Sequence, residues 1–181
     1  ETLRYEIAID TAKASDMVMA FANLMRYSIY YGSTIVPLQT DIEYINDYLL
    51  LQKMRYNRRL NYHIDIPEEL MGCKIPKLLL QPVVENAIIH GISPKGQGGR
   101  IHVRSWMEGR RLWISVADTG RGMAQERLEE IRLALARGEE KATGVGVGNI
   151  YRRVHGMYRD GEVFIYSSEG RGTVVQMAFT P

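Results

Sequence analysis

A single cysteine, Cys73, has no partner for an internal disulfide, which excludes a disulfide-stapled scaffold and points to a reducing compartment. Cys73 itself reads as a small buried hydrophobe. An excess of one charge is also missing. The 23 Lys and Arg residues nearly balance 21 Asp and Glu, and a net charge of +2 makes no electrostatic case for nucleic acid. No apolar run approaches the roughly 18 residues that span a bilayer, and the start does not read as a signal peptide. The pattern G-x-x-x-x-G-K-[ST] is absent, which removes the P-loop. The chain begins at Glu1 without a methionine and already in a helical pattern, so it is expected to be a piece of a longer protein.

What is present is 45% hydrophobic residues over 181 positions, enough for one good core and a smaller second unit. Over residues 1–31 the apolar positions Leu3, Ile7, Ala14, Met17, Phe21, Leu24 and Met25 fall mostly three, four or seven apart, which predicts one long amphipathic helix. Gly32-Ser33-Thr34 breaks it. Pro37 suits the first position of a second helix, which runs to about residue 57 with Ile42, Ile45, Leu49 and Gln52 as its seam. Two such helices make an antiparallel hairpin. A hairpin cannot enclose its own stripes, so they are covered either by a second copy in a four-helix bundle or by the rest of the chain. Arg26, Lys53, Arg55, Arg58 and Arg59 read as a solvated helix face.

Leu60, Tyr62, Ile64 and Ile66 alternate as a strand stopped by Pro67. Residues 77–91 predict an apolar helix that puts Asn86 and His90 on one face and ends at Gly91. A glycine-rich turn at 93–99 leads to strands at 101–107 and 112–117 through a tight turn at 108–110. A helix follows at 124–137. Residues 138–143 lack an apolar anchor and are expected to be mobile. A helical run at 150–157 and a closing hairpin, 163–167 with 173–179, complete a two-layer α+β sandwich with helices on one face of a mixed sheet.

Two glycine-rich segments stand out. Asp118-Thr119-Gly120-Arg121-Gly122-Met123 follows a strand, and Gly144-Val145-Gly146-Val147-Gly148-Asn149 opens a helical run. Taken singly, the first also describes an ordinary turn, the second an ordinary loop, and Asn86 a cap or core residue. Taken in order with Glu85-Asn86 upstream and Gly170-Arg171-Gly172-Thr173 downstream, they resemble the ATP-binding domain of the GHKL group, the gyrase, Hsp90, histidine kinase and MutL relatives. Glu85-Asn86 is similar to that group's N box. The flanks Asn23-Leu24-Met25-Arg26-Tyr27-Ser28, Leu49-Leu50-Leu51-Gln52-Lys53-Met54-Arg55-Tyr56 and Ile75-Pro76-Lys77-Leu78-Leu79-Leu80-Gln81-Pro82 resemble the LytS and YesM type of sensor histidine kinase, along the full length.

The resemblance implies a helical dimerisation hairpin over residues 1–58, truncated at its N-terminus, and a catalytic ATP-binding domain of the Bergerat type over 59–181. It implies Asp118 as reader of the adenine amino group, Gly120 and Gly122 as the close-turning backbone, Met123 as a pliable wall, and Thr173 sharing a water with Asp118 and the base. It implies Gly144, Val145, Gly146, Val147 and Gly148 at the phosphates, Asn86 as the Mg²⁺ ligand, and His90 facing the phosphates. Glu85 either orients a Mg²⁺-bound water or the incoming imidazole, or faces solvent or a basic partner. Two departures are visible. Ile89 stands where the group often has Lys or Arg, leaving the phosphate contact to His90, Arg121 or Arg152. Pro82 stands where hydrolysing members carry a Glu, so rapid hydrolysis is not expected.

None of His63, His90, His102 and His155 lies in the family's phosphoacceptor type of segment, which is expected just upstream of Glu1. The chain is therefore expected to bind ATP with Mg²⁺ without phosphorylating itself. The intact reaction is γ-phosphoryl transfer to that histidine and then to an Asp of a response regulator, with 138–143 as a lid. The implied parent is a homodimeric membrane sensor of which this is the cytoplasmic part. Two rival readings stand: a GHKL ATPase of chaperone or repair type, and a degenerate kinase serving as a dimerisation and interaction module, which Ile89 supports.

Overall fold

The computed structural model describes residues 11–30, 32–56, 59–137 and 145–181. The start of the first predicted helix, Arg58, the 138–143 segment and Gly144 lie outside the described residues.

Helices α1 (Thr11–Tyr30) and α2 (Leu38–Arg55) form the expected hairpin. α1 buries Ala14, Met17, Ala20 and Tyr27, α2 buries Ile42, Ile45 and Leu49, and these helical spacings set one stripe of each helix facing inward. Polar contacts fix their register. The Asn23 side chain donates to Asp47 Oδ2 at 3.0 Å, and the rings of Tyr27 and Tyr44 meet at 5.1 Å. Between the helices, β1 (Ile35–Pro37) pairs antiparallel with β3 (Lys74–Pro76). Three residues are too few to show alternation, so this small sheet was not anticipated. Pro37 closes β1 and precedes Leu38, so it stands one position outside the helix it was expected to open.

The main sheet runs β2 (Leu60–Asp65), β4 (Gly99–Glu108), β5 (Arg111–Asp118), β7 (Gly172–Phe179), β6 (Glu162–Ser168). β2 and β4 are parallel and the other pairs antiparallel, so the sheet is mixed as expected. Alternate residues Ile101 and Val103, Leu112, Ile114 and Val116, and Val175, Met177 and Phe179 are buried toward the helices. The core is continuous from Leu38, Ile42 and Ile45 of the hairpin to these strands. On the opposite face the indoles of Trp106 and Trp113 stack at 5.7 Å, and Phe164 stacks on Trp113 at 5.7 Å. The guanidinium groups of Arg104 and Arg111 lie over the two indoles at 5.0 and 5.8 Å. This ladder, with the Arg111–Glu162 ion pair at 2.5 Å, covers the helix-free face with the sheet's own side chains.

The central helix departs from expectation at both ends. α3 spans only Gln81–Asn86, because in a helix starting at Lys77 the Pro82 ring would strike the Leu78 carbonyl four residues back. Residues 77–80 are instead irregular, with Leu78 at φ 57°, a left-handed conformation that costs a non-glycine residue about 1 kcal/mol. Gly91 does not end the run. The backbone continues as a π-helical turn over Ala87–Ile92 and a 3-10 turn over Ser93–Lys95, and stops at Gly96 with φ 67°. Helices α4 (Gln125–Ala136) and α5 (Val145–Met157) complete the helical layer. α5 begins five residues before Ile150, so Gly146 and Gly148 fall in its first turn.

Candidate functional site

Asp118 ends β5 and is 8% exposed. Its Oδ1 accepts the Gly120 N–H at 2.7 Å, and the Thr173 N–H also donates to the carboxylate. Burial raises its pKa above the usual 3.8 and outweighs the opposing pull of those two donors and of Lys95. The turn after Asp118 is pressed between other segments. A Cβ on Gly120 would overlap the Gly91 backbone, and one on Gly91 would lie 2.8 Å from Asp118 Oδ1. Gly91 is thus a glycine for closeness to this carboxylate, not for helix termination. The Arg121 N–H donates to the Gly91 carbonyl at 2.9 Å and its Nε to the His90 carbonyl at 3.1 Å, which ties the turn to the π-helical segment. Ser167 joins the remaining pieces. Its Oγ accepts the Met123 N–H at 3.0 Å, donates to the Gly172 carbonyl at 2.9 Å and lies 3.0 Å from Thr173 Oγ1.

Asn86, at the end of α3, is packed against the first turn of α5. A Cβ at Gly146 would stand 2.8 Å from both Cγ and Oδ1 of Asn86 and would strike its amide nitrogen, so only glycine admits this approach. The amide therefore sits where the N–H groups of Val145, Gly146, Val147 and Gly148 have no acceptor within the helix.

These groups surround one cavity of about 310 Å³, the size of a small-molecule site. Of the residues anticipated from sequence, Asn86, His90, Asp118, Gly122, Met123, Gly146, Val147 and Thr173 line it. Gly120 stands behind, holding Asp118, and Gly148 is buried within α5. Val145 contributes the first backbone unit of α5. Glu85 is not in the lining. It accepts the Gln81 side-chain N–H at 2.7 Å, and its charge acts on α2, where burial first and Glu85 second push the Tyr48 hydroxyl up to about 12. Ile89 is exposed and does not line the cavity, whereas Arg121 does. Arg152 is exposed on α5 and outside the lining. Reading by sequence missed the apolar lining, Val83, Val116, Ile131, Ile150, Ile165 and Val175, together with Arg127 at the rim. Their spacing is that of any core residue, and no pattern separates a cavity wall from a packed interior.

An apolar slot ending in a buried carboxylate suits a flat base with an N–H donor. A helix N-terminus whose first N–H groups have no acceptor within the helix suits phosphate. One amide oxygen between them suits a hard cation that keeps most of its ligands from phosphate and water. Fold and cavity together define a nucleotide-binding α/β sandwich. A family model described as histidine kinase-, DNA gyrase B- and HSP90-like ATPase matches residues 74–181, and one described as histidine kinase matches residues 1–60. The chain belongs to the histidine kinase-, DNA gyrase B- and HSP90-like ATPase family, and ATP binding goes with that membership.

The chain is 30% identical over 173 residues to an uncharacterized sensor-like histidine kinase of Staphylococcus epidermidis, covering 94% of this chain and 33% of that protein. It is 28% identical over 176 residues to the sensor protein kinase HptS of Staphylococcus aureus, covering 97% and 34%. It thus spans about a third of the length of these relatives. Among solved structures, the histidine kinase domain of the Erythrobacter litoralis EL346 blue-light activated histidine kinase matches with a TM-score of 0.57 at 20% identity, over 93% of this chain and 74% of that one. Histidine kinase ThkA in complex with the response regulator protein TrrA matches with a TM-score of 0.56 at 19% identity, over 99% and 51%. At these identities the likeness is one of fold. No helix among the described residues is long and apolar enough to cross a membrane.

Proposed function

We propose that this chain is the catalytic, ATP-binding part of a two-component sensor histidine kinase, with a helical hairpin over residues 1–58 and a catalytic domain over 59–181. The observation that carries the reading is that Asn86, Asp118 and the first turn of α5 line a single cavity. The adenine lies in the apolar slot, its amino group donates to the Asp118 carboxylate, and Met123 closes one side. The phosphates meet the N–H groups of Val145 to Gly148, with Arg121 and His90 at the rim. Asn86 Oδ1 would hold Mg²⁺, which neutralises phosphate charge when bound.

The reaction moves the γ-phosphoryl to a histidine of the intact protein and onward to an Asp of a response regulator. A histidine nitrogen forms the new P–N bond as the P–O bond to ADP breaks, and the site's contribution is positioning and charge neutralisation. The acceptor is not one of the four histidines here. His63 and His102 lie on the sheet with ring centroids 5.2 Å apart, His155 stacks on Tyr151 at 3.7 Å, and His90 belongs to the cavity. Pro82 stands in the first turn of α3 and supplies no base for water, which favours a kinase over a fast ATPase. Homodimerisation through α1 is supported by Val18, Phe21, Met25 and Ile29, which leave a second apolar stripe exposed. A membrane anchor would belong to other parts of the intact sensor.

Isothermal titration of the 181-residue chain with ATP and Mg²⁺ tests the reading. Saturable binding that Asp118→Asn abolishes is expected. A wild-type chain that takes up no heat-detectable nucleotide would refute it, and steady turnover to ADP would favour the ATPase reading.

A further inference from the structure

We propose that Asp41 is a positioning residue through which the helical hairpin sets the geometry of the nucleotide cavity. The proposal rests on the nucleotide reading above and adds its regulation.

Asp41 belongs to α2 and is fully buried. Its Oδ1 accepts the Leu78 N–H at 2.7 Å and the Tyr27 hydroxyl at 3.0 Å, and its Oδ2 accepts the Leu80 N–H at 3.0 Å. The Leu79 N–H donates to the same carboxylate. Three consecutive amides that lead into α3 are thus gathered by one side chain of the hairpin, which does from a distance what an N-cap residue does locally. α3 supplies no such cap of its own, since the residue before it is Leu80.

The same segment is held from the other side by α5. Arg153 Nη1 donates to the carbonyls of Lys77 at 2.5 Å and Leu78 at 3.0 Å, and Lys77 Nζ donates to the Ser28 carbonyl of α1 at 3.3 Å. Leu78 therefore has its N–H fixed by the hairpin and its carbonyl fixed by α5, and it holds a left-handed backbone between them. A residue without glycine's freedom keeps that conformation when its surroundings impose it.

Both helices that meet across the cavity leave from this knot. α3 runs from it to Asn86, and α5, anchored by Arg153, carries Gly146, whose contact with Asn86 leaves no room for a methyl group. A shift of α1 against α2 pulls on Asp41 and Tyr27, moves the start of α3, and changes the Asn86–Gly146 approach where phosphate and cation would sit. Linkage makes the effect reciprocal, so nucleotide in the cavity tightens residues 77–80 and their hold on the hairpin.

The test uses the 181-residue chain with a non-hydrolysable ATP analogue and Mg²⁺, comparing wild type, Asp41→Asn and Tyr27→Phe. Calorimetry gives affinity, circular dichroism reports folding, and amide hydrogen exchange follows Leu78, Leu79 and Leu80. Nucleotide is expected to slow exchange at these amides in the wild type by more than it slows the core amides of β4 and β5, whose protection rises only with global stability; a purely structural role for Asp41 would leave the two sets equal. Folded Asp41→Asn should bind about fivefold more weakly or worse, and Tyr27→Phe, which removes the hydrogen bond to Asp41 and keeps the carboxylate, about twofold more weakly. If Asp41→Asn does not fold, Tyr27→Phe and the wild-type exchange decide. Unchanged affinity in a folded variant, or exchange at 78–80 slowed by nucleotide no more than in β4 and β5, overturns the proposal while leaving the nucleotide site intact. A wild type that binds nothing would bring down both.

Discussion

At the scale of single residues the cavity's character comes from burying Asp118. Its native pKa is raised above the unfolded 3.8, so its contribution to stability is fullest below about 3.8 and is lost as pH rises through the native value. Above that native value the ionised, buried carboxylate is a cost that a donor group on a ligand offsets. Binding runs the other way, because only the ionised form accepts freely. Affinity for ATP measured by calorimetry should fall as pH is lowered through the raised pKa toward 3.8, whereas Asp118→Asn, which loses the ionised acceptor, should show no binding at any pH. A second substitution probes the facing wall. Gly146→Ala places a methyl against the Asn86 amide, and we expect about tenfold weaker nucleotide binding, the loss of roughly one hydrogen bond to a charged group, with little change in melting temperature. The polar side of this site was legible in the sequence, since Asn86, Asp118, Gly146 and Thr173 stand in ordered motifs. Its apolar side was not, because Val116, Ile150 and Ile165 have the spacing of core residues and only their arrangement in space leaves a cavity beside them.

At the scale of elements, what could be read was what periodicity controls. α1, α2, β4 and β5 present one buried face each, so their period of 3.6 or 2 is written in the chain. The central helix was misjudged for a reason that periodicity cannot carry. Residues 77–80 have the apolar content of a helix, but the Pro82 ring denies them the conformation, and the N–H groups so released are satisfied by Asp41, 37 residues or more away. Gly91 and Gly122 show the same limit. Either could end a helix or make a turn, and here Gly122 has φ 66° with the Ser168 carbonyl where a Cβ would go. Gly122→Ala should therefore lower unfolding free energy by about 2 kcal/mol, as read from the midpoint of urea denaturation. A variant as stable as wild type would show that the turn relaxes.

At the scale of the whole molecule, α1 has two apolar stripes and the chain covers one. Ala14, Met17, Ala20 and Tyr27 face inward, whereas Val18, Phe21, Met25 and Ile29 are exposed, Phe21 by 60%. Light scattering of the purified chain should give twice the monomer mass, and the double substitution Phe21→Glu and Met25→Glu should return it to one. A dimer undisturbed by both changes would place the contact elsewhere. The sheet's other face sets a practical condition on all of these measurements. The chain's two tryptophans, 106 and 113, are stacked together across β4 and β5, with the whole thickness of the sheet between their indoles and the cavity. Intrinsic emission will consequently follow loss of the sheet and stay nearly silent when a ligand enters, so an optical titration needs a reporter placed on the nucleotide or on the helical side.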